Sequence, residues 1–156
     1  MVRVKTSYTH PLHIDVIEIP GCPGNIGMAI CPGKTGPSSS FRGEWNRDMT
    51  ADLAVIKSWN PRAIVTLLEE YELEMLGVSA LPGLIAECGM EWYHLPVRDG
   101  SAPGEHFEHR WARAANLLTN HLRGGERVLI HCHGGLGRTG TVAAKLLVEA
   151  GLDPRS

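Results

Sequence analysis

The 156-residue chain has no apolar run long enough to cross a bilayer, no internal repeat, no low-complexity tract and no long run of like charge. It also lacks the cysteines for a disulfide framework: Cys22, Cys31, Cys88 and Cys132 are too few and too scattered to staple a domain of this size. Basic excess is missing too. Lys plus Arg number 15 against 17 Asp plus Glu, a formal net charge of -2. That balance excludes a broad nucleic-acid footprint, but not an anion pocket, which needs only local positive potential. The N-terminal MVRVKTSYTH has no apolar segment after its basic residues, so no secretory signal is read. The expected setting is the cytoplasm with reduced thiols, with no membrane and no nucleic acid as partner. A reduced cysteine beside basic groups is a candidate nucleophile.

Hydrophobic residues at 43% and charged residues at 21% describe an ordinary globular chain, read as one domain over residues 1–156. Leu12 to Ile19 and Ile26 to Ile30 read as strands, and Pro32 to Ser40 as a surface loop. Met49, Leu53 and Ile56 recur at helical spacing behind a cap at Asn46 or Asp48, and Pro61 closes that helix. Ala63 to Leu68 is a continuous apolar run suited to a buried strand. A short helix follows over Leu81 to Cys88, with Pro82 in its first turn and Gly89 as its stop. Glu91 to Val97 is a further strand. Phe107, Trp111, Ala114, Ala115, Leu118 and Leu122 share one face of a long helix, and Gly124-Gly125 ends it. Arg127 to His131 is a strand, Cys132 to Gly137 a glycine-rich loop, and Thr139 to Ala150 a helix. Alternating strands and helices predict an α/β fold with a central, largely parallel sheet flanked by helices.

The chemistry is concentrated in His131-Cys132-His133-Gly134-Gly135-Leu136-Gly137-Arg138-Thr139. The glycines let the backbone curl, and a curled loop turns successive N–H groups inward as an anion nest. The following helix adds its positive end. The Arg138 guanidinium can grip two phosphate oxygens at once. The same dipoles favour the Cys132 thiolate; comparable sites reach a pKa of roughly 3.5–7.5. Nucleophile and phosphate cradle therefore belong to one loop, with Cys132 and Arg138 catalytic and His133, Gly134, Gly135, Leu136, Gly137 and Arg138 binding substrate.

Three other readings compete. An inert cysteine in a glycine-rich turn does not require arginine six positions later. Metal binding by His131, Cys132 and His133 would put adjacent ligands on one strand, awkward for a tetrahedral site. His106 and His109 read as solvated helix residues, so the residues do not favour a metal site. Gly27, Gly33, Lys34 and Thr35 miss the spacing of a nucleotide loop. Cys88 reads as a core helix position rather than a resolving thiol, and Trp45, Trp59, Trp92 and Trp111 as core.

The pattern of His-Cys, five residues, Arg-Thr resembles the signature of the protein tyrosine phosphatase superfamily. Pro20-Gly21, Pro32-Gly33-Lys34, Arg47-Asp48, Asp52-Leu53, Ile64-Val65-Thr66-Leu67, Glu72-Leu73 and Leu95-Pro96 followed by Asp99-Gly100 are similar to one subgroup, the dual-specificity phosphatases related to the cyclin-dependent-kinase-associated phosphatase. The resemblance implies a compact phosphatase domain without metal or cofactor. It implies that Asp99, 33 residues before Cys132, donates the leaving-group proton. It further implies that the Thr139 hydroxyl assists breakdown of the phosphoenzyme and that His131 orients the loop from behind. Polyphosphoinositide phosphatases place lysines in this loop. Here only His133 is offered, which favours phosphotyrosine, or phosphoserine and phosphothreonine, on proteins. The alternatives carried are a phosphoresidue-binding pseudophosphatase and a thiol-based sulfurtransferase or arsenate reductase. The subgroup continues with further helices, whereas Asp153-Pro154 begins one just before the chain ends. Missing helices would expose apolar surface and favour self-association.

Overall fold

Ala63-Ile64-Val65-Thr66 is apolar and β-branched without polar alternation, and all four residues are buried, as in a strand covered on both faces. It lies at the centre of a computed structural model that describes residues 3–98, 104–134 and 137–151. In chain order the elements are β1 (Arg3–Thr6), β2 (Asp15–Glu18), β3 (Asn25–Ala29), β4 (Thr35–Pro37), β5 (Gly43–Asn46), α1 (Met49–Trp59), β6 (Ala63–Thr66), α2 (Glu70–Met75), α3 (Leu81–Glu87), β7 (Glu91–His94), α4 (Glu105–Arg123), β8 (Arg127–His131) and α5 (Gly137–Glu149).

The main sheet has the order β2-β3-β8-β6-β7. Four strands run parallel and β2 pairs antiparallel on the β3 edge. Strand periodicity splits the side chains between two cores. Val128, Ile130 and Val65 join the layer of α4 and α5, where Phe107, Trp111, Leu118, Leu122, Val142 and Leu146 are buried. Leu129 and Ile64 point the other way, to Leu53 and Ile56 of α1 and Leu81 and Ile85 of α3. The fold is thus α/β, a largely parallel sheet between two helical layers, as the alternation predicts.

Local chemistry explains the boundaries. Asp48 caps α1 by accepting from the Ala51 N–H at 3.0 Å, which selects it over Asn46. Asn60, left-handed at φ 59°, closes the same helix one residue before Pro61. The predicted strands over 63–68 and 91–97 overrun β6 and β7, but for a physical reason. The ladder continues past both, with Leu95 N–H to Thr66 O at 3.0 Å and Val97 N–H to Leu67 O at 2.9 Å.

Two features differ from the sequence reading. The stretch from Pro32 to Ser40 is not simply a surface loop. Pro32, Gly33 and Lys34 are buried, and Thr35–Pro37 forms β4 of a second, three-stranded sheet of order β1-β5-β4. Helix α2 was not foreseen either. It is short and acidic, and its anchor is Glu72, whose carboxylate accepts the Glu69 N–H at 3.0 Å. The predicted helix start at Asp153-Pro154 lies outside the described residues. No helix among them is long and apolar enough to cross a membrane.

Candidate active site

Register brings Ala29, His131, Thr66 and His94 into one row at the carboxyl ends of β3, β8, β6 and β7. This is the edge where parallel α/β sheets hold ligands. The chain leaves β8 at His131, passes Cys132 and enters α5 at Gly137. Cys132 is therefore fixed by the last rung of a buried strand; it is buried, with 2% of its surface exposed.

Arg138, in the first turn of α5, returns over the same edge. Its guanidinium donates from Nη1 and Nη2 to the two carboxylate oxygens of Glu72, at 2.8 and 3.0 Å, and from Nη1 to the Val97 carbonyl at 3.0 Å. Three donors are thus fixed in one plane by α2 and by the extended end of β7. Arg138 and Glu72 are both buried, so the fork is held in a weakly screened setting where bidentate geometry is strongest. A cavity of about 370 Å³ joins Cys132, His133, Gly137 and Arg138 to Ser39 and to Tyr71, Glu72 and Met75 of α2. Tyr71 and Met75 are exposed at its rim.

Behind the loop, His131 is fully buried and its pKa is pushed down to about 4, chiefly by burial. Its Nδ1 faces the Cys132 carbonyl at 3.4 Å, and a carbonyl can only accept. The proton of the neutral ring therefore sits on Nδ1. Nε2 accepts from the Thr66 hydroxyl at 2.7 Å, and that hydroxyl accepts the Trp92 indole N–H at 2.8 Å. These hydrogen bonds fix His131 behind the loop.

The structure thus brings Cys132, His133, Gly137 and Arg138 together, with His131 behind them. Thr139 is buried beside Arg138, and its hydroxyl has no hydrogen-bond partner among the described residues. Gly134 also belongs to the loop, while Asp99, Gly135 and Leu136 lie outside the described residues. His106 and His109 are exposed on α4, as expected. Cys88 caps α3 at the opposite, amino-terminal edge of the parallel strands, half-buried and far along the sheet from Cys132. Among the described residues no three His, Cys, Asp or Glu side chains group to hold a metal ion.

Sequence reasoning missed Glu72 as the partner of Arg138, although a glutamate three residues into a capped helix start is a legible signal. It also missed Lys34, Thr66 and Trp92. No periodicity could assign those to the site, because Thr66 and Trp92 arrive from other strands and Lys34 from the turn before β4.

Residues 42–152 match the family model described as Polymorphic toxin system, DSP-PTPase phosphatase. The chain is 30% identical over 140 residues to cyclin-dependent kinase inhibitor 3 of Homo sapiens, covering 88% of this chain and 62% of that protein. With the protein of the same name from Rattus norvegicus it shares 30% identity over 127 residues, 81% of this chain and 56% of that protein. The chain thus spans about three fifths of the length of these curated relatives. A solved structure of kinase-associated phosphatase, with its catalytic-site cysteine replaced by serine, matches with a TM-score of 0.76 at 28% identity. That match covers 93% of this chain and 79% of the other.

Proposed function

Because this chain belongs to the DSP-PTPase phosphatase family of polymorphic toxin systems, we propose that it removes phosphate from phosphorylated protein side chains through a cysteinyl-phosphate on Cys132. In the first step the Cys132 thiolate attacks phosphorus in line. The sulfur–phosphorus bond forms as the phosphorus–oxygen bond to the substrate breaks, and Asp99 gives its proton to the departing oxygen. The Arg138 guanidinium and the N–H groups of residues 133–138 hold the equatorial oxygens, where charge accumulates. In the second step a water gives its proton to the Asp99 carboxylate and attacks phosphorus. The sulfur–phosphorus bond breaks and inorganic phosphate leaves, assisted by the Thr139 hydroxyl. The substrate class is phosphotyrosine, or phosphoserine and phosphothreonine, on proteins, and the cytoplasm supplies the reduced setting the thiolate needs.

The observation that supports this reading most is the shared cavity. Cys132 lines it together with an arginine whose plane is already set by Glu72 and Val97, so little ordering remains when phosphate arrives. Hydrolysis of p-nitrophenyl phosphate in EDTA is the test. The wild-type protein turns over, Cys132→Ser falls to background, and Asp99→Ala loses roughly 10²–10⁴-fold in kcat while still binding substrate. Full activity in Cys132→Ser would overturn the mechanism.

A further inference from the structure

Lys34 is a lysine with only 1% of its surface exposed, a position that charged side chains take only for a reason. Its Nζ donates to the carbonyl of His133, the residue after Cys132, at 2.9 Å. The ammonium also stands 4.1 Å from the centroid of the Trp45 indole, a cation–π contact supplied by β5. On the loop side the fit is closed by Gly134: a Cβ there would come within 2.5 Å of Nζ. One strand end, one indole and one glycine thus hold a cation directly against the loop backbone.

The groups around this cation leave its charge uncompensated. Arg47 and Lys5 are themselves positive, and Arg47 is already paired with Asp52. The Cys31 thiol is pushed up to about 12, chiefly by its burial, and so stays neutral. Of the ionisable groups acting on Lys34, that leaves Cys132 to answer its charge. We propose that Lys34 is a positioning residue of this site: it pins the loop carbonyl at His133 and directs a buried positive charge at the cup that must hold a thiolate and a phosphate. This rests on the phosphatase reading above and extends it to a residue outside the cysteine loop.

Burial draws the Lys34 pKa down to about 8, so the charge is present at neutral pH and fades above pH 8. That gives a signature a merely structural lysine would not have. The experiment measures kcat/KM for p-nitrophenyl phosphate from pH 6 to pH 10 in wild type, Lys34→Met and Lys34→Gln. The ratio of wild type to variant cancels the ionisations the proteins share. Lys34→Met is expected to lose on the order of tenfold at pH 6.5, and the deficit narrows as pH rises through 8. Lys34→Gln keeps a donor for the His133 carbonyl without charge, so it shows the same narrowing and guards against a Met variant that fails to fold. A deficit that stays constant across the range in the folded variants, or no deficit at all, overturns the proposal. If wild type turns over and Cys132→Ser does not, such a result sinks only the role of Lys34. If wild type does not turn over, the phosphatase reading itself falls.

Discussion

The two ends of the central sheet carry the same kinds of ion pair in opposite settings. At the carboxyl end, Arg138–Glu72 and Arg47–Asp52 have side-chain exposures of 5%/4% and 1%/1%. At the amino end, Arg62–Glu91 stands at 50%/36%, with Glu126 and His121 close by. There the Tyr93 hydroxyl, donating to Glu91, holds that carboxyl below its ordinary range. The amino end also has a cavity larger than that of the site, about 500 Å³ between Asn60, Arg62, Cys88 and Arg127. It lacks, among its lining residues, a cysteine and arginine set on one loop. Size does not mark the site; fixed orientation does. Buried pairs bring little net stability, since desolvation offsets their attraction, but once formed they have one geometry. Exposed pairs are screened and free to rearrange. The carboxyl end thus gives up stability for aim.

The largest effect is expected from Glu72→Ala. It removes the Glu72 carboxylate from the buried Arg138 guanidinium, costing about 3–5 kcal/mol of unfolding free energy, and lowers kcat as the fork loses two of its fixed contacts. Urea denaturation and steady-state kinetics check the two arms. Next comes Asp52→Asn. The Asp52 carboxylate accepts from Arg47 at 2.8 and 3.0 Å, from the Ser7 hydroxyl at 2.8 Å and from the Gly33 N–H at 2.8 Å. Replacing it with an amide should cost about 1–3 kcal/mol in urea denaturation and, by loosening Gly33-Lys34, reduce activity less than Glu72→Ala does.

A pH-dependent effect belongs to His131. Its pKa falls from 6.5 in the unfolded chain to about 4 in the fold. The unfolded chain therefore binds the extra proton first, and this contribution to stability is complete above pH 6.5 and lost as pH falls toward 4. Comparing wild type with His131→Asn in urea at several pH values isolates it: the stability difference should shrink on acidification through that window. Smallest of all is Arg62→Ala. Its melting temperature and kcat/KM should match wild type within error, because its partners are solvated.

The cysteine loop was legible because its chemistry is local: nucleophile, glycines, arginine and threonine lie within nine consecutive residues from His131 to Thr139. The central strands were legible too, since Ala63–Thr66 and the Val128, Leu129 and Ile130 run of Arg127–His131 are apolar and buried on both faces. The small sheet was not. Arg3–Thr6 and Gly43–Asn46 expose much of their surface and pair across forty residues, so neither apolar run nor alternation announces them. Pro32-Gly33-Lys34 misled for a related reason. Proline, glycine and lysine usually mark solvent, and only the tertiary partners Asp52, Trp45 and His133 make this segment interior. Glu72 is legible as a helix-start glutamate, but as the partner of Arg138 only once the fold sets the two opposite each other.

The proposed mechanism passes phosphate through sulfur on the loop that follows β8. Acid-quenching the protein during turnover of p-nitrophenyl phosphate and mapping it by mass spectrometry tests this most directly. One phosphoryl group is expected on the peptide bearing Cys132, accumulating further in Asp99→Ala, where hydrolysis of the intermediate is slowed. Sustained turnover with Cys132 never phosphorylated, or with the phosphoryl group on another residue, would contradict it.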